Sequence, residues 1–151
     1  LKNNKIMSFW IETKIRYNKV MEDGALKSVT ETNIVNALSF TEAEARIIEE
    51  VKPYISSEFT VSAVKKTNIS EIFYDERGDR WYKVKVLFIT LDEKSGIEKQ
   101  TANYMLVQAS DFHNALENFM DGMKSTMADF KIASISETNI MDVFEEKLTQ
   151  E

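Results

Sequence analysis

The sequence has no cysteine, a single histidine, a single proline and four glycines. Without cysteine there is no disulfide, no thiolate metal site and no cysteine nucleophile. With so little proline and glycine, long irregular loops are not expected. No apolar run approaches the roughly 20 residues that a membrane helix needs. Leu1 to Ile6 is polar and basic with no apolar stretch behind it, so no leader is expected there either. Positive charge is in deficit: 19 Lys and Arg stand against 25 Asp and Glu, a net charge of −6. Such a surface repels nucleic-acid phosphates and anionic membranes, which draw binding proteins through Lys and Arg. The chain also lacks a Walker loop, a GxGxxG turn, a GxSxG elbow and an HExxH helix.

What remains is the composition of a folded domain. Apolar residues make up 43% and charged residues 29% of 151 residues, enough to build one core without staples. We expect a single domain over residues 9–146, an N-terminal extension over 1–8 and a C-terminal tail over 147–151. Met7 stands just before the first strand and can serve as a start, which leaves residues 1–6 either native or an added extension. A cytoplasmic location is the expectation from the missing cysteines and leader.

The strongest signal is internal repetition. Thr67-Asn68-Ile69 recurs as Thr138-Asn139-Ile140, Phe73 as Phe144, Phe59 as Phe130, and Trp10 as Trp81, all at one spacing of 71. After the first hairpin turn the spacing becomes 72, pairing Gly24 with Gly96, Val35 with Val107, Ala37 with Ala109 and Ala43 with Ala115. A collinear series with only single-residue gaps points to one ancestral unit present twice, over residues 9–75 and 80–146.

Both repeats read in the same order. Residues 9–20 and 80–91 alternate like strands, with Ile11, Thr13, Ile15 and Tyr17 on one face matching Tyr82, Val84, Val86 and Phe88. Asp23-Gly24 and Ser95-Gly96 sit at hairpin turns, and residues 25–38 and 97–109 return as second strands. Ser39 and Asp111 are suited to cap helices, and Ser39 with Glu42 has the spacing of a capping box. Phe40, Ala43, Ile47 and Val51, like Phe112, Ala115, Phe119 and Met123, have the spacing of one buried helix face. Glu42 and Arg46 stand at the i, i+4 spacing of an ion pair. Pro53 should stop the first helix, and strands are expected near 58–67 and 129–136. The closing TNI-x-[DE]-[IV]-F segment is short enough to be either a strand or a helical turn. The expected fold is α+β: two tandem ββαβ-type repeats forming an antiparallel sheet with two helices on one face, related by a pseudo-two-fold. One continuous saddle-like sheet ranks ahead of two packed sheets.

Candidate sites are few. Trp10 and Trp81 fall on the strand face opposite the apolar one, beside Lys14, Lys83 and Lys85, and form a candidate interaction surface. The competing reading is that the tryptophans cover the sheet and the lysines are solvated. Asp111 and His113 suggest acid–base chemistry, but His113 corresponds to Thr41 in the first repeat, so an exposed first-turn residue is expected. Asp75–Asp79 has carboxylates enough for a cation, but its spacing is not that of an EF-hand, and a turn is expected. Glu71 and Asp142 recur and could pair as carboxylates; they read first as polar positions of a packing motif. Met120, Met123 and Met127 read as core filling ahead of an adaptable groove. No catalytic residue, metal or cofactor is expected.

Residues 39–55, 88–96, 104–112 and 137–144 resemble an uncharacterised family from Bacteroidetes of about this chain's length, a domain of unknown function. The resemblance spans residues 8–146 and implies a small bacterial protein with no assigned activity. Three functions are compatible with these features. A non-enzymatic interaction or assembly domain, self-associating or binding another protein, comes first. A mobile-element accessory protein that stacks single-stranded nucleic acid on its tryptophans is second. A small-ligand binder with a pocket between helix and sheet is third.

Overall fold

The structure is a computed structural model that describes residues 8–145. All of the expected N-terminal extension but Ser8, and the expected tail 147–151, lie outside the described residues. Five elements occur in the same order in each repeat. The first repeat gives strand β1 (Phe9–Val20), β2 (Leu26–Ala37), helix α1 (Phe40–Val51), β3 (Phe59–Lys66) and β4 (Ile69–Phe73). The second gives β5 (Arg80–Leu91), β6 (Glu98–Ala109), α2 (Phe112–Gly122), β7 (Asp129–Glu137) and β8 (Ile140–Phe144).

The α+β class stands, but the strands do not form one antiparallel sheet. They form two four-stranded mixed sheets, ordered β3-β1-β2-β8 and β4-β6-β5-β7. The short TNI segment is a strand, and it leaves its own repeat. β8 of the second repeat pairs in parallel with β2 of the first, and β4 of the first pairs in parallel with β6 of the second. The chain accordingly divides into two compact units. One holds the residues up to Thr67 together with those from Ile140, and the other is Asn68–Asn139. Each unit is thus three strands and a helix from one repeat, closed by a strand from the other.

Local chemistry sets each element. Gly24 and Gly96 adopt positive φ, 81° and 71°, at the hairpin turns, a conformation that residues with a Cβ adopt at a cost. The turns differ in length, with Met21 bonding back to Ala25 and Asp92 to Ile97, and this is the origin of the change in spacing from 71 to 72 at that point. Both outer strands carry a bulge at the same place. The register of β1 on β3 shifts between Lys14 and Ile15, and that of β5 on β7 between Lys85 and Val86.

Both helix caps form as expected. Ser39 Oγ accepts from the Glu42 amide at 3.1 Å and Asp111 Oδ1 from the Asn114 amide at 2.8 Å, each interaction contributing about 1 kcal/mol. Glu42 completes its capping box on the Leu38 amide. The expected Glu42–Arg46 pair does not form, because Arg46 bonds to the carbonyl and side chain of Asn36 on β2.

Ala43, Ile47 and Val51 bury α1 against Ile11, Ile15, Val35 and Ala37. In the other unit Phe119 and Met123 pack on Val84, Val86, Met105 and Val107, while Ala115 packs beside Tyr82 and Ala109. Full burial of one such large side chain is worth about 1.5–3 kcal/mol. Phe40 and Phe112, expected on the buried face, are 55% and 52% exposed. Each is the first residue after its cap, where the helix begins and its apolar face has yet to meet the sheet.

Candidate functional site

A tryptophan stands at the same place in both repeats, Trp10 on β1 and Trp81 on β5. Trp81 is buried, 3% exposed, with Tyr74 packed edge-on against its ring at 6.0 Å. Trp10 is half-buried. Each also has a backbone role. The Trp10 carbonyl accepts from the Thr67 amide at 3.0 Å and the Thr67 hydroxyl at 2.8 Å. The Trp81 carbonyl accepts from the Thr138 amide at 2.9 Å and the Thr138 hydroxyl at 2.8 Å. The recurring threonine therefore fastens the chain to the start of the first strand just before it crosses to the other unit.

The lysines are spread. Lys14 and Lys85 sit at the bulges described above, and Lys83 lies over the Tyr104 ring at 4.8 Å. All three are half-buried. Trp81 presents no ring face to solvent, so base stacking on a tryptophan pair has no platform at that position.

The remaining sequence candidates have structural partners. His113 is exposed in the first turn of α2, edge-on to Phe112. In the Asp75–Asp79 turn, Asp75 accepts from the Arg77 side chain at 3.0 and 3.2 Å and from Asn118 at 3.0 Å. The Arg77 guanidinium, then Asn118 and the Arg77 amide, hold the Asp75 carboxyl down at about 2. Gln108 ties the loop from both sides, accepting from the Asp75 amide and donating to the Gly78 carbonyl. Gly78 is required there, because a Cβ would lie 2.6 Å from the Ala109 backbone. Among the described residues no three His, Cys, Asp or Glu side chains gather as a metal site would require. Glu71 and Asp142 are exposed on strands of different sheets. Met123 is in the core, whereas Met120 and Met127 are exposed.

The surface that sequence reasoning missed lies at the hairpin ends. β1 pairs with β2 out to Val20 and Leu26, but β3 supports it only as far as Tyr17, and β8 reaches only Thr32–Val35. The last residues of this hairpin therefore run on as a two-stranded ribbon. β5 and β6 likewise pair out to Leu91 and Glu98, while β7 stops at Ile89 and β4 at Tyr104. Each ribbon ends in aliphatic residues open to water. Val20 and Leu26 are 66% and 67% exposed, and Leu91 and Ile97 are both 65% exposed. Val20 and Leu91 are equivalent in the repeat. The signal available in the sequence was an aliphatic residue next to the turn in both copies.

Residues 9–146 match the model of a family described as a domain of unknown function (DUF4494), and the chain belongs to that family. No curated protein and no solved structure matches the chain. No helix among the described residues is long and apolar enough to cross a membrane.

Proposed function

We propose that the chain is a non-enzymatic interaction or assembly domain that engages a second copy of itself, or another protein, through its two hairpin ribbons. The observation that carries this reading is the exposed aliphatic pair at the end of each ribbon, Val20 with Leu26 and Leu91 with Ile97. Scattered exposed aliphatics are common on soluble proteins. Here they occur in both repeats, on or next to the ends of strands that stand clear of their sheets and still have backbone groups to offer a partner.

The two repeats descend from one duplicated unit and work as a single domain, since each unit takes a strand from the other repeat. Trp10, Trp81, Lys14, Lys83 and Lys85 serve this domain as packing and strand-edge residues ahead of a contact surface. A bacterial origin and a cytoplasmic place belong to the same reading. They rest on the resemblance of residues 39–55 and 137–144 to a Bacteroidetes family and on the cysteine-free composition.

The test is light scattering over a concentration series, with Val20→Asp/Leu91→Asp beside the parent. The parent should gain mass with concentration and the double variant should not, with unchanged melting temperatures. A strict monomer at the highest concentration would remove self-association and leave only a foreign protein partner.

A further inference from the structure

The first unit holds a cleft at a place where the second unit has packed core. It measures about 250 Å³ and lies between β1, β2, the end of α1 and the crossing strand β8. Its floor carries Asn33, which is only 3% exposed. The Asn33 carbonyl accepts from the buried Thr13 hydroxyl at 3.1 Å, but its side-chain amide has no hydrogen-bond partner among the described residues. No buried side-chain nitrogen or oxygen is left unsatisfied among the described residues, so the polar atoms of this amide reach the open space of the cleft. An amide that meets the cleft without a protein partner can donate to and accept from an incoming ligand.

One wall is polar and the other apolar. Tyr17 donates to Glu31 Oε2 at 2.9 Å, which leaves the carboxylate able to accept again. Burial, and then the bond to Glu31 and its charge, push the Tyr17 hydroxyl up, so it stays protonated and holds the carboxylate in place. Asp142 stands directly beside Asn33 on the neighbouring strand. Neither Glu31 nor Asp142 is in an ion pair among the described residues, and no Lys, Arg or His lines the cleft. Ile55 and Phe144 supply the apolar side.

The second repeat shows what this place looks like as core. Asn33 corresponds to Met105, Tyr17 to Phe88 and Glu31 to Asn103. Met105 is 4% exposed and packs with Phe88, Phe73 and Phe119. Three positions that are polar or hydroxylated in the first unit thus include two that are plain apolar filling in the second. A position that only needs filling has no use for a buried amide.

We propose that this cleft binds a small organic ammonium ion, its apolar body against Ile55 and Phe144 and its N–H groups donating to Glu31, Asp142 and the side-chain Oδ1 of Asn33. The two carboxylates select the charge, and aromatic faces accept a cation as well as an apolar group. The volume is below the roughly 300–1,000 Å³ of sites for drug-sized ligands, so the occupant is of metabolite size.

The test is NMR titration of the full chain with benzylammonium, with benzyl alcohol and benzoate as matched neutral and anionic probes. Benzylammonium should shift the Asn33 side-chain amide and the Ile55 methyls, with benzyl alcohol about tenfold weaker and benzoate inert, as a charge-assisted bond requires. Asn33→Met, which copies the second repeat, should abolish binding without lowering the melting temperature. Glu31→Gln should weaken it about tenfold at unchanged shape. Equal response to benzoate or benzyl alcohol, shifts away from the cleft, no shift at millimolar probe, or full binding by Asn33→Met would overturn the proposal. If Asn33→Met fails to fold, Glu31→Gln decides alone. Neither variant touches the hairpin ends, so this result is independent of the assembly test.

Discussion

Thr67 gives both its amide and its hydroxyl to one acceptor, the carbonyl of Trp10, and Thr138 repeats the arrangement on Trp81. The side chain thus supplements a sheet-like bond at the point where the third strand ends. Beyond it the chain leaves for the other sheet. The recurring Thr and Trp are one device rather than two separate motifs.

Removing the hydroxyls should cost stability in both units. Each part-buried bond is worth about 1 kcal/mol. Thr67→Val/Thr138→Val should therefore lose about 2 kcal/mol in urea unfolding, nearly additively because the sites are in separate units. Replacement at no cost would show that the amide bonds alone hold the crossing points.

The two phenylalanines of α2 should behave oppositely. Phe119 is fully buried and meets Phe73 and Phe130 edge-on. Phe119→Ala should cost about 3–5 kcal/mol, whereas Phe112→Ala, at an exposed site, should stay within about 0.5 kcal/mol. Chemical denaturation of the two variants checks this directly.

Asp75 predicts the acid limb of stability. Its carboxyl is held at about 2 by Arg77 and Asn118, below the unfolded value of about 3.9. A depressed carboxyl stabilises the fold above the unfolded value, and that contribution is lost as the pH falls through about 2. Asp75→Asn should be less stable than the parent at neutral pH, and the gap should close as the pH approaches 2. Urea midpoints at pH 7, 4 and 2.5 measure it. A constant gap would mean that the carboxylate's charge plays no part.

Strand exchange predicts an effect at a distance in sequence. A chain ending at Asn139 lacks β8, the parallel neighbour of Thr32–Val35. Hydrogen exchange should then lose protection in β2 and in α1 above it, while Met105–Val107, still covered by β4, keep theirs. Equal loss in both units would argue that the sheets do not open separately.

Much of this fold was legible. β1 and β5 alternate over a full strand length, and Ser39 and Asp111 announce their helices by local chemistry. The crossing strands were not legible, for a physical reason. Ile69–Phe73 and Ile140–Phe144 are five residues each, too short for a period to declare itself. Parallel pairing with a strand far away in the chain leaves no local mark. One sheet or two could not be read for the same reason. The cleft was hidden differently: Asn33 looks like a solvent position until it is set against Met105. The two repeats agree in their packing positions and differ at this one, where Asn33 stands for Met105.

The reciprocal exchange also orders events during synthesis. β1, β2, α1 and β3 leave the ribosome well before β8, the strand that completes their sheet. About a hundred residues separate β2 from β8, roughly 5–20 s at ordinary elongation rates. Through that interval the first unit waits with the edge of β2 uncovered, a pairing surface open to other chains. The second unit has its borrowed strand, β4, in hand before β6 is made. The nascent first unit is therefore the more vulnerable of the two, although most of it is the older by several seconds.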